Sequence, residues 1–169
     1  VDGAWRHPGL LHMHVHVMEM SPHPERALKS GDALFDTMPD SGHLRHMPTH
    51  IDVLCGNYQA VVERTHAAVV VDRMFVEREG VVNFYTGYRA HDYHFKAYGA
   101  MFLGQYKSAI EAAEEMIATT PKEVLEVGNP PYADWLEAYI PIKQHVLIRF
   151  GKWQEILDEP LPDDPELYC

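Results

Sequence analysis

Apolar and small residues recur at helical spacing through most of the chain, and the stretch from His91 to Pro121 shows the pattern most clearly. Ala97, Ala100, Met101 and Leu103 mark a first helix that stops at Gly104, and Tyr106, Ala109, Ile110, Ala113, Met116 and Ile117 mark one face of a second that stops at Pro121. Glycine supplies the left-handed residue that ends a helix, and proline cannot continue one. With so short a connection, the two helices must pack antiparallel.

The arrangement recurs. Gly56 and Tyr58 stand where Gly104 and Tyr106 stand, with Val61 in the place of Ala109. Ala27 and Pro39 mark an earlier pair whose turn is Pro22-His23-Pro24, and Gly151 with Trp153 marks a last pair that breaks at Pro160. The predicted hairpins cover approximately 7–38, 42–78, 89–120 and 132–158, with an extended tail over 159–169, in a single domain spanning 1–169. Inserts fall at 79–87 and 121–131. Pro48 lies inside a predicted helix and is read as a kink, and Pro141 perturbs the helix predicted over 132–150. Gly31, inside a partner helix, is read as a point of close helix contact.

A helix-turn-helix unit with Gly104 and Tyr106 at its turn, small Ala109 at the helix contact and Pro121 at its end resembles the tetratricopeptide (TPR) repeat. The resemblance implies an all-α fold, a right-handed solenoid of about four helical hairpins. A longer stretch carries a second likeness: His7-Pro-Gly, His12, His16 and Glu19, then Ser21-Pro-His-Pro-Glu-Arg-Ala27, then Gly42-His-Leu, His46-Met-Pro and His50. It resembles a poorly characterised group of large bacterial-type TPR proteins with histidine-rich motifs. That likeness implies the same fold and groups these histidines as one constellation, but it supplies no reaction.

Composition narrows the function classes. A net charge of −11 argues against nucleic acid and anionic membrane surfaces, which need a basic face. The longest apolar run, near Ala67 to Val71, is too short to span a bilayer. The chain begins at Val1 without a charged-then-apolar leader, which reads as a processed product or a piece of a longer protein. Cys55 and Cys169 do not make a disulfide framework, so the compartment stays open.

Twelve histidines are the candidate chemistry. The TPR resemblance implies that positions 2, 5, 9 and 12 of each first helix face a concave groove. The first three of these positions hold His43 and His91, then His12, His46 and His94, then His16, His50 and His145, and Glu19 holds the fourth in the first repeat. His12/His16 and His46/His50 are i, i+4 pairs, so each pair shares a helix face. Helix axes pack about 8–10 Å apart, which lets facing pairs meet around one ion. The expected metal site is His12, His16, Glu19, His43, His46, His50, His91 and His94, with Glu19 either an oxygen ligand or an imidazole-orienting partner. Crowded imidazoles repel when charged, and a metal removes that problem by taking the neutral form. Two other readings stay open: a solvated groove for an acidic or aromatic partner, or core histidines held by backbone carbonyls. His14, His23 and His66 are read as structural, and Met13, Met18, Met20 and Met47 as core filler.

Imidazole with carboxylate suits zinc or iron, and copper is allowed. If the chain is an enzyme, the expected chemistry is metal-assisted hydrolysis or oxidation. The competing function is a scaffold that takes a peptide or another protomer in its groove, or stacks as a subunit of an assembly. No nucleophile with a base at readable spacing, phosphate-binding glycine loop or Cys-x-x-Cys pair occurs in the sequence.

Overall fold

The computed structural model describes residues 6–161. The fold is all-helical: no strand occurs among the described residues, where extended pairing is limited to an isolated antiparallel bridge between Gly128 and Pro131. Two compact units form, Val1–Glu77 and Arg78–Cys169.

The first unit opens with α1 (Pro8–Glu19). Pro8 sits in the first turn, where its missing N–H is no loss. The amides of Leu10 and Leu11 bond the carbonyl of His7 at 3.0 and 3.1 Å. A 3-10 turn over Pro24–Ala27 leads into α2 (Leu28–Thr37), followed by α3 (Gly42–His46) and α4 (Pro48–Leu54). Leu11, Val15, Ala27, Leu34, Met47 and Ile51 form the core, with Met18, Leu28, Ala33, Leu44 and Cys55 packed against it. Each large apolar side chain buried this way contributes about 1.5–3 kcal/mol.

Pro48 divides α3 from α4, yet Met47 between them keeps helical dihedrals (φ −48°, ψ −38°). The chain therefore bends there and stays helical, so residues on either side remain in register. Pro48 rests on Gly31 of α2, where an added Cβ would lie 3.1 Å from the proline Cβ. That is the close helix contact expected of this glycine. α5 (Tyr58–Glu79) follows, and the boundary between the units falls in its last turn.

The second unit is built on the hairpin of α6 (Thr86–Phe102) and α7 (Tyr106–Ala118). Ala97, Ala100, Ala109, Ala112 and Ala113 are all fully buried, and their small side chains let the backbones approach closely. Then come α8 (Lys122–Leu125), α9 (Ala133–Leu136), a 3-10 turn over Glu137–Tyr139, α10 (Ile142–Arg149) and α11 (Trp153–Asp158). The single helix expected over 132–150 is thus three pieces. Pro141 has no N–H to carry the ladder across the break. α6 starts three residues before the expected Arg89. Gly87 in its first turn lies against Trp135, so closely that an added Cβ would fall 2.1 Å from the indole.

Three turns share one geometry. Gly56, Gly104 and Gly151 have φ of +77°, +70° and +65°. After each, the next amide reaches back five residues: Asn57 to Asp52 at 2.8 Å, Gln105 to Ala100 at 2.9 Å, Lys152 to Leu147 at 2.9 Å. The glycine amide itself bonds three residues back, at 3.1–3.3 Å. This is the Schellman closure, in which glycine takes the left-handed place. The aromatic residues that follow are less alike. Tyr106 packs edge-on against Phe150 with centroids 5.2 Å apart, whereas Trp153 is 61% exposed. The expected tail lies mostly outside the described residues.

Candidate metal centre

Six of the expected site residues belong to the first unit: His12, His16 and Glu19 on α1, His43 and His46 on α3, and His50 on α4. α1 packs directly on α4. On α1, Leu11 and Val15 turn into the core, and the adjacent face carries His12, His16 and Glu19. His46 and His50 lie on opposite sides of the Pro48 break but keep their i, i+4 relation because Met47 remains helical.

The five imidazoles close a circuit. Ring centroids are 4.7 Å apart for His12–His16, 5.9 Å for His16–His50, 4.8 Å for His50–His46, 6.5 Å for His46–His43 and 5.2 Å for His43–His12. Within it, His12 and His16 meet through their Nε2 atoms at 3.0 Å, and His46 and His50 through theirs at 2.9 Å. Glu19 lies behind both pairs. Its Oε1 takes Nδ1 of His50 at 2.5 Å, and its Oε2 is 3.5 Å from Nδ1 of His16. Of the two roles open to Glu19, the geometry is that of the orienting partner.

The hydrogen bonds fix the proton positions of the neutral rings. A carboxylate only accepts, so Nδ1–H of His50 donates to Glu19 and its Nε2 carries the lone pair. His46 then donates from Nε2–H, which leaves its Nδ1 to accept. Thr49 supplies that donor, with its hydroxyl 3.2 Å from Nδ1 of His46. Sequence reasoning missed Thr49, although its place three residues after His46 on a helical path puts the two side chains together.

Burial and neighbouring charge favour the neutral forms of His12 and His43. The pKa of His43 is lowered to about 4, by burial first and then by the neighbouring His12, His50 and His16. His12 is lowered by burial, His16 and His50. The hydrogen bond from His50 leads the causes that lower Glu19, keeping it ionised. The cluster runs from a buried end to solvent: His46 is fully buried and His50 8% exposed, whereas the His16 side chain is 42% exposed.

A neutral imidazole offers a cation its unprotonated nitrogen, and the Nε2 atoms here stand in close pairs. The nitrogens of His46 and His50 are close enough to serve one metal ion. Two ligands about 2.0–2.1 Å from a tetrahedral ion stand about 3.4 Å apart, so each pair need open by only about 0.4–0.5 Å.

His91 and His94 are carried by α6 of the second unit. There His91 lies edge-on to Phe95 at 4.8 Å, and His94 lies near Tyr98 at 6.3 Å and Tyr139 at 5.7 Å. His14 bonds the Ser30 hydroxyl at 2.9 Å, His23 is 3.4 Å from Glu25, and His66 is exposed. Met47 and Met18 do fill the core, but Met13 and Met20 are 57% and 93% exposed, Met13 on the face of α1 that turns from the core and Met20 at the cap beyond its last residue. No family model, characterised protein or solved structure matches the chain.

Proposed function

We propose that the first unit is a transition-metal-binding unit within a TPR-like helical repeat protein, with the Nε2 pairs of His12/His16 and of His46/His50 as its ligand pairs. One observation carries the reading: two imidazole pairs joined through Nε2, with a single carboxylate, Glu19, placed behind both. A carboxylate on the far nitrogen of a ligand imidazole sets its tautomer and raises its basicity. Zinc or iron fits this donor set, and copper is admissible. An ion held by one such pair would keep open positions and supply Lewis-acid or redox chemistry; the residues hold and orient it, and the exposed His16 end is its entry.

The test is metal content by elemental analysis, together with zinc titration of chelated protein. His16→Ala and His50→Ala should each weaken uptake about tenfold or more, while His66→Ala leaves it unchanged. A ligand at about a hundred times its Kd adds about 2.7 kcal/mol, so a chelator at neutral pH should lower the Tm of loaded protein by several degrees. Equal loss in all three variants would mean general instability. Protein that takes up no metal and holds a peptide or second copy on this face would transfer the reading to a scaffold.

A further inference from the structure

We infer that Thr49 is the positioning residue that lets His46 change tautomer when an ion enters, its hydroxyl donating to Nδ1 before binding and accepting from Nδ1–H after. The inference rests on the metal-binding reading above.

The two members of the inner pair are held by unlike partners. His50 has Glu19 on its Nδ1, an acceptor-only group, so its Nε2 lone pair is already available. His46 has the Thr49 hydroxyl on its Nδ1, and the proton it needs for the 2.9 Å contact with His50 sits on Nε2. A metal cannot bind a protonated nitrogen. For both Nε2 atoms to take one ion, the Nε2–H bond of His46 must break and an Nδ1–H bond form. One proton moves and none is released.

Both residues are buried, so the new Nδ1–H needs an acceptor or incurs the cost of an unmade hydrogen bond. A hydroxyl is donor and acceptor at once. Thr49 therefore serves both states by rotation alone, its own hydrogen then turning to a carbonyl of the preceding turn, as a helical threonine commonly does. A carboxylate here would lock His46 as the ligand tautomer and remove the donor that closes the metal-free pair. A methyl group would serve neither state.

The experiment is 15N NMR of histidine-labelled protein, metal-free and zinc-saturated, with zinc affinity measured for Thr49→Val and Thr49→Ser. Metal-free protein should show His46 protonated on Nε2 and His50 on Nδ1. Zinc should move the His46 proton to Nδ1 and leave that of His50 in place. Thr49→Val should weaken zinc binding about 10- to 100-fold, and Thr49→Ser should stay close to wild type. A melt of metal-free Thr49→Val separates lost folding from lost affinity. His46 already protonated on Nδ1 without metal, or full affinity in a folded Thr49→Val protein, overturns the switch while leaving the metal site intact. Wild-type protein that binds no zinc, iron or copper overturns both.

Discussion

Gly42 stands where no side chain fits. A Cβ built there would lie 1.9 Å from Oδ1 of Asp72 and 3.1 Å from the Ala68 carbonyl oxygen. Asp72 is 1% exposed, so it has little room to withdraw. Gly42→Ala should cost about 1–3 kcal/mol, the usual range for forcing extra volume into a packed site. A lower urea midpoint at unchanged slope is the expected result; an unchanged midpoint would show that Asp72 yields freely. The substitution acts next to His43 at the start of α3, so the same variant should also loosen the histidine cluster. This contact was not legible in the sequence, where Gly42 only opens the hairpin predicted over 42–78. The histidine pairs were legible, because i, i+4 spacing puts side chains on one face whatever else the chain does. The role of Glu19 was open between ligand and orienting partner. Its distances to the Nδ1 atoms of His50 and His16 support the orienting role, and such distances depend on how α1 lies on α4.

The turns are the most predictable elements. Glycine at 56, 104 and 151 signals a left-handed helix end, and each has positive φ with the same pair of closing hydrogen bonds. Gly104 shows that the constraint is conformational: an added Cβ there meets nothing within 4 Å, yet φ is +70°. Gly104→Ala should therefore cost about 1–2 kcal/mol through backbone strain alone. Gly104→Asn should cost less, since asparagine tolerates this region. Denaturant melts of the two variants check the order, and equal costs would point to the side chain rather than the backbone. Helix interruptions were harder to read. Pro48 bends a helical path and keeps its register, whereas Pro141 is preceded by a 3-10 turn and leaves the expected helix in pieces. Both are one missing N–H, and the local sequence does not say how the ladder reconnects. Trp153 sits where an aromatic was expected but remains exposed, because a position in the repeat frame does not ensure a neighbour to cover it.

At the scale of the whole molecule, acid acts in two opposing directions. The net charge of −11 moves towards neutrality as histidines protonate, which relieves repulsion and favours the compact state. Buried histidines work against this. In the second unit His94 has its pKa lowered below 6.5, by burial first and then by the charge of His145. Folded His94 stays neutral at a pH where the unfolded chain already binds the proton, so the unfolded state binds more protons and stability rises with pH. The contribution is complete above about 6.5 and is lost as pH falls from there towards the lowered value. Global charge relief masks this in wild-type protein alone, so the informative quantity is a difference. His94→Gln keeps a neutral polar group of similar size and cannot titrate. Urea midpoints of both proteins, chelated and taken from about pH 7.5 to about pH 5, should show wild type losing ground to the variant as pH falls below about 6.5. His145→Gln should soften the same limb, because it removes the second cause of the shift and brings His94 closer to its unfolded value. A difference between wild type and His94→Gln that stays constant across the range would mean that His94 titrates as it does in the unfolded chain. The acid sensitivity of the second unit would then have to arise elsewhere.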